Sequence, residues 1–280
     1  MNWFWWAIIA VFAITGQILL FRRLQKSYSI PQYLFLVWML SGLIMGLFTV
    51  PGNFASYTGR SLLILAFTGA AAWLGQIFVN MSLKRQSNAG FVDSLANTRL
   101  VVAYFISMAL FDSPLEPLKV AAMGLVAVGV VITSIQDPKQ AQPAQRGWIP
   151  LALASGVMFA LFSTGNRLVS ETGLGTLVAI PAWMVVTGGL NGVLLVREPE
   201  PLKIDQDVWV IALAIGLTIL GNIALVSSYN SAPNLAYTFA VQGSRMVILY
   251  VAVIAMGQDT INLRRFGGVV TILVGVILLS

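Results

Sequence analysis

Apolar residues run along this chain in blocks of roughly 20, each closed by charged residues, prolines or glycines. A helix placed on each block gives 3–21, 30–50, 61–83, 89–111 and 117–134 in the first half, and 148–169, 175–196, 208–229, 235–256 and 260–280 in the second. A bilayer core about 30 Å thick takes about 20 residues of helix, so the pattern predicts an all-α integral membrane protein with ten transmembrane helices. Composition agrees. The chain is 58% hydrophobic and 9% charged with a mean hydropathy of +0.85, whereas a soluble domain is roughly 25% charged. Trp3, Trp5 and Trp6 read as interfacial anchors of the first span, because the positive n-region and small-residue cleavage site of a signal peptide are missing around them.

The stretch "IQDPKQAQPAQRG" (135–147) is polar, rich in proline and glutamine, and lacks apolar periodicity. It divides the chain into two units, 1–134 and 148–280. An offset of 146 residues lays "WLGQIFVNMSLK" over "ILGNIALVSSYN" and "ANTRLVVAYFISMAL" over "QGSRMVILYVAVIAM". It matches Gly75 with Gly221, Arg99 with Arg245, Tyr104 with Tyr250 and Gly129 with Gly275. Nearby offsets match Thr15-Gly16-Gln17 with Thr164-Gly165-Asn166, Trp38-Met39 with Trp183-Met184, and Ser41-Gly42 with Thr187-Gly188. Biased composition accounts for matched valines but not for matched arginines. Two copies of a five-span unit enter the membrane in opposite senses, because five is odd. Such an inverted repeat predicts a binding site at the midplane between the copies.

These paired five-span halves, the closing "GVVTILVGVILLS" with Gly268 and Gly275, and the acidic Asp112 of "LFDSP" after the fourth span resemble the EamA-like branch of the drug/metabolite transporter superfamily. The resemblance implies a ten-span carrier of small molecules, with export the commoner direction and both termini in the cytoplasm. Charge points the other way on the last count. The connections after the odd-numbered spans carry about eleven lysines and arginines, led by Arg22, Arg23, Lys26, Lys84 and Arg85, against about three on the opposite side. The positive-inside rule therefore puts both termini outside the cytoplasm. The net charge of +6 is spent on topology in short loops, so the expected partners are the lipid bilayer and a small-molecule substrate, with no nucleic acid. Protons or an exchanged solute are candidate coupling partners, and the chain is read as a monomer or homodimer.

The chemistry concentrates in a few positions. Arg99 lies about ten residues into its span, roughly 15 Å deep, and Arg245 reaches the same depth from the other direction. An arginine at that depth costs roughly 2.5–3.5 kcal/mol by insertion scales, so each must face protein or water. One reading makes the two guanidiniums converge on a carboxylate or phosphate; the other has each cap carbonyls or hold helices together. Asp93 precedes Arg99 by six residues, about 240° around the helix, so the two do not share a face. Asp93 is a candidate proton carrier or a hydrated residue near the interface, and it shares a stripe with Asn97 and Tyr104.

Gln242 is expected to hydrogen-bond Arg245 one turn on. Gln17, Gln76, Asn166 and Asn222 each follow a glycine, and read either as cavity-lining donors and acceptors or as interhelical hydrogen bonds. Trp38, Trp183, Tyr104 and Tyr250 are candidate cavity walls. Pro181, with Gly188 and Gly189, makes the seventh span the expected flexible or broken helix of a gate.

Cysteine and histidine are absent, and no nucleotide-binding loop or nucleophile elbow is present, so no cofactor and no metal are expected. The residues point to a secondary-active carrier that moves a small polar, carboxylate-bearing metabolite of the amino acid or organic acid class by alternating access. An intramembrane enzyme acting on a lipid-soluble substrate is the alternative, disfavoured by the lack of paired acid/base groups. A passive channel is a further one.

Overall fold

A computed structural model of the chain describes residues 2–49, 53–86, 89–114, 116–135, 147–196, 207–255 and 262–280. Nearly all of them are helical: α1 (Trp3–Leu24), α2 (Ile30–Thr49), a 3₁₀ turn (Phe54–Ser56), α3 (Gly59–Arg85), α4 (Ala89–Ala96), α5 (Thr98–Phe111), α6 (Pro117–Ser134), α7 (Trp148–Glu171), α8 (Thr176–Leu195), α9 (Val208–Ser231), α10 (Leu235–Gly243), α11 (Arg245–Ala255) and α12 (Leu263–Leu279). No strand occurs among the described residues. The all-α expectation holds, and the protein is a multi-pass membrane protein. Among the described residues eight helical stretches are long and apolar enough to cross a membrane, with Val92–Phe111 taken as one of them. The ninth and tenth expected spans appear as the shorter apolar stretch Leu235–Val251 and the 17-residue α12. The polar stretch read as a linker lies, for residues 136–146, outside the described residues.

The bundle is apolar on its surface as well as in its core. Large apolar side chains such as Leu47, Phe48, Leu63, Phe105 and Ile277 face outward, as a lipid solvent requires. Buried hydroxyls bond back to carbonyls of the preceding turn, as Thr15 does to Val11, Thr133 to Gly129 and Thr164 to Ala160. With no hydrophobic drive between helices in lipid, close approach at small residues supplies the cohesion. At the α2/α8 crossing a Cβ on Gly42 would lie 2.9 Å from Val185 Cγ2, and one on Gly188 would lie 2.7 Å from the Met39 nitrogen. At the α6/α12 crossing the pattern repeats: a Cβ on Gly129 would lie 2.7 Å from the Gly268 oxygen and one on Gly275 2.8 Å from the Ala122 oxygen.

Helices pair as α1 with α9, α2 with α8, α3 with α7 and α6 with α12. The α6/α12 pair is antiparallel and closed at both ends by cations. Lys119 Nζ reaches the oxygens of Leu278, Leu279 and Ser280 at 3.3, 3.1 and 3.3 Å. At the other end Arg264 Nη2 and Arg265 Nε donate to the Ile135 oxygen at 3.0 and 3.4 Å. Each helix C-terminus, the negative end of its dipole, thus receives a basic residue from the start of its partner.

Two expectations about helix continuity are corrected. The seventh span is unbroken: α8 runs through Pro181. Proline there removes one hydrogen bond in the second turn, yet α8 continues past it, with Gly46 of α2 alongside, where a Cβ on the glycine would lie 3.8 Å from the Pro181 Cβ. The interruptions fall instead in the fourth and ninth spans, between α4 and α5 at Asn97 and between α10 and α11 at Ser244. At each, the α ladder tightens to i−3 bonding: Leu100 N to Asn97 O at 2.9 Å, and Ser244 N to Val241 O at 3.0 Å followed by Val247 N to Ser244 O at 2.9 Å.

Candidate functional site

Both breaks sit beside the two arginines. Arg99 is the second residue of α5 and Arg245 the first of α11, so each guanidinium springs from the N-terminus of a half-helix deep in the bundle. Gly156 of α7 makes room for the first break, since a Cβ there would lie 2.6 Å from the Ala96 oxygen. Both arginines are buried, 6% and 8% exposed, and their surroundings differ.

Arg245 has a counter-ion. Its Nε donates to Asp93 Oδ2 at 3.3 Å and its Nη2 to Asp93 Oδ1, a two-pronged ion pair that joins α11 to α4 across 152 residues of sequence. The fork geometry suits a carboxylate, and the pair removes the net charge of both groups from the bundle interior. Gln242 does not bond Arg245 as expected. Its Nε2 donates to the Ala7 oxygen at 3.2 Å, because the turn at Ser244 rotates α11 away from the α10 face that carries it.

Arg99 has no carboxylate partner among the described residues. Its Nη2 donates to Asn97 Oδ1 at 3.1 Å, while its Nε has no hydrogen-bond partner. The guanidinium carbon lies 5.2 Å from the Phe239 ring centroid and 6.0 Å from that of Phe159. Cation–π attraction to a ring is worth about 2 kcal/mol when desolvated, which softens the burial of the charge without cancelling it. Asp93, Arg99 and Arg245 are the charged groups beside the two breaks, and together they carry one uncompensated positive charge, on Arg99.

From Phe239 a chain of rings crosses the bundle. Phe239 lies 5.3 Å from Tyr229, Tyr229 6.4 Å from Phe162, Phe162 4.8 Å from Trp183, and Trp183 5.6 Å from Trp38. Along it, Trp38 Nε1, Trp183 Nε1 and the Asn166 Oδ1 have no hydrogen-bond partner, and neither does the Tyr104 hydroxyl. A buried donor without a partner costs about 1–3 kcal/mol, so a guest that offers acceptors gains what the protein leaves unmade. Tyr250, the match of Tyr104, is occupied: its hydroxyl accepts from the Asn262 nitrogen at 3.0 Å.

The carboxamides divide. Gln17 Nε2 donates to Thr218 Oγ1 at 2.6 Å and fastens α1 to α9, whereas Asn222 Nδ2 donates to the Thr218 oxygen one turn back in α9 itself, at 2.8 Å. Asn166 spends its Nδ2 on the Phe162 oxygen and keeps its Oδ1 free. The carbonyl of Gln76 accepts from Asn80, which joins Gln25 and Tyr33 in a polar cluster near the ends of α1 and α3. Gly188 is locked into the α2 contact, whereas a Cβ on Gly189 meets nothing nearer than 3.9 Å. Phe159, Phe162, Tyr229 and Phe239 were not distinguishable in the sequence from ordinary core aromatics. One signal was available for Phe239: at the 146-residue offset it stands opposite Asp93. Among the described residues no group of three His, Cys, Asp or Glu side chains can hold a metal ion.

Comparison with known proteins places the first half. Residues 1–135 match the model of the EamA-like transporter family. A solved crystal structure superposes on 99% of this chain and 95% of its own with a TM-score of 0.76 at 14% identity, which shows a shared fold over nearly the whole length. No curated protein matches.

Proposed function

We propose that the chain, whose residues 1–135 match the model of the EamA-like transporter family, is a secondary-active carrier for a small carboxylate-bearing metabolite, built from two inverted five-span repeats that alternate access around Arg99. The observation that carries this is the isolated guanidinium. A buried charge without a counter-ion is costly, and its natural complement in a carrier is the anion that it moves. Half-helix N-termini near the membrane midplane favour an anionic group in the same place. The reciprocal contacts at α2/α8 and α6/α12 support the inverted repeat, since Gly129 against Gly268 and Gly275 against Ala122 exchange under the 146-residue offset. Lys119 and Arg265 exchange in the same way.

The aromatic chain from Phe239 to Trp38 lines the route along which the apolar body of the substrate lies, with Asn97 steadying the guanidinium. The energy comes from an ion or solute gradient, and Gly189 and the two helix breaks give the bundle its freedom to move. The experiment is counterflow in proteoliposomes loaded with unlabelled amino and organic acids. Saturable uptake of a labelled acid that Arg99→Ala abolishes supports the carrier. Non-saturating flux marks a channel, and chemical turnover of a lipid marks the enzyme.

A further inference from the structure

At the 146-residue offset Arg99 answers Arg245, and Phe239 answers Asp93. The contacts follow the same exchange: Arg245 meets Asp93 in an ion pair, and Arg99 meets Phe239 in a cation–π contact with its carbon 5.2 Å from the ring centroid. The two halves therefore hold one arrangement twice, an arginine at a half-helix start facing one position on the opposite half. In one copy that position is a carboxylate and in the other a phenyl ring.

We propose that Asp93 is the charge-setting residue of the binding site, an internal carboxylate that occupies one of two equivalent arginine seats and so restricts the carrier to singly charged anions. The inference rests on the reading of Arg99 as the substrate's partner. Asp93 shows how a carboxylate sits on such an arginine, through both oxygens on Nε and Nη2. The Nε of Arg99 is the corresponding donor, and it is unmade. With Asp93 charged, Asp93, Arg99 and Arg245 sum to one positive charge, which a monoanion cancels. Asp93 stands six residues before Arg99 on the same span, about 9 Å along it, so a second anionic group directed that way meets a like charge, and one directed at the rings of Phe159 and Phe239 is unpaired and desolvated. Phe239 keeps the Arg99 seat open by presenting an attractive face that brings no negative charge. Selection against dianions thus comes from an acid on the protein, a repulsive element beside the attractive one.

The test counts charge. Thermal stabilisation of the purified protein in nanodiscs is measured with matched pairs of monocarboxylates and dicarboxylates, such as benzoate with terephthalate and pentanoate with glutarate. The wild type is expected to prefer the monoanion of a pair by about tenfold or more in apparent affinity. Asp93→Asn raises the site to two positive charges and shifts the preference by about tenfold toward the dianion. Asp93→Asn combined with Arg245→Gln returns the site to one charge and restores the monoanion preference. Phe239→Asp places a carboxylate on the second arginine and abolishes both.

A purely structural ion pair predicts none of this reversal. Should Asp93→Asn not fold, Phe239→Asp decides the matter: loss of stabilisation by monocarboxylates supports the assignment, since an acid then fills both arginine seats, and undiminished stabilisation overturns it. An unchanged preference in a folded Asp93→Asn overturns it as well, as does a wild type that neither acid class stabilises. If instead Arg99→Ala leaves monoanion binding intact, the site itself is misplaced and the carrier reading falls with it.

Discussion

Arg99 and Arg245 hold the same place in the two halves of the chain, and the protein treats them differently. The Arg245 seat is closed: Asp93 takes the guanidinium, and Asn262 takes the hydroxyl of the nearby Tyr250. The Arg99 seat is open: its Nε and the hydroxyl of Tyr104 lack partners, and aromatic rings stand where the acid would be. The two arginines match at the 146-residue offset, and the residue that faces each one, Asp93 or Phe239, decides whether its guanidinium has a counter-ion.

The sharpest way to break this comparison is to truncate each arginine. Arg245→Ala leaves Asp93 buried and unpaired, which costs about 3–5 kcal/mol. Less folded protein in the membrane and a lower midpoint in thermal denaturation are the expected results. Arg99→Ala removes a charge that no acid compensates, so folded protein accumulates at wild-type level or above. Transport falls by about 100-fold in the counterflow assay, in keeping with the loss of a buried charged hydrogen bond to the ligand. Equal stability losses in the two variants would erase the distinction between the seats.

Arg99→Lys is a milder probe of the same difference. Lysine keeps the charge but not the planar fork, and it stacks less well on Phe159 and Phe239. Stability is expected to stay near wild type while apparent affinity falls by about tenfold. A lysine variant with undiminished affinity would mean that the seat offers only a point charge.

Much of the helical scaffold was legible in the sequence, because hydropathy blocks report helices. The breaks were not. Asn97 and Ser244 each tighten a single turn, which leaves the hydropathy of the span unchanged, while Pro181 advertises a break and α8 runs through it. The helical wheel was right that Asp93 and Arg99 do not face each other, but it tests neighbours within one helix only. The partner of Asp93 lies 152 residues away. The same limit concealed Phe239, which is one apolar residue among many until the offset sets it against an acid. Gln242 failed as a neighbour of Arg245 for a related reason: i, i+3 geometry presumes an unbroken helix.

Where the halves meet through backbone rather than charge, symmetry should hold instead of failing. Gly129→Val and Gly275→Val each drive a side chain into a carbonyl of the opposite helix, and each is expected to cost about 1–3 kcal/mol. Gly124→Ala, where a Cβ meets nothing within 4 Å, serves as the neutral reference. A large inequality between the two valine variants, measured by thermal denaturation in the same detergent, would show that the pseudo-two-fold relation does not extend to α6 and α12.

The smallest effects belong to the terminal cations of the same pair. Lys119 answers Arg265 in the repeat, and each reaches the last carbonyls of the opposing helix. A cation at a helix C-terminus contributes about 0.3–1 kcal/mol. Lys119→Ala should cost that much, because its ammonium alone serves three carbonyls from Leu278 to Ser280. Arg265→Ala should cost less, because Arg264 still donates to the Ile135 oxygen at 3.0 Å. Removing Arg264 and Arg265 together should then equal or exceed the Lys119 loss. High salt screens exposed charges at the membrane surface, so these differences should shrink as ionic strength rises, while the gap between Arg99→Ala and Arg245→Ala should not. That contrast separates symmetry in the scaffold from asymmetry in the buried site by a single change of buffer.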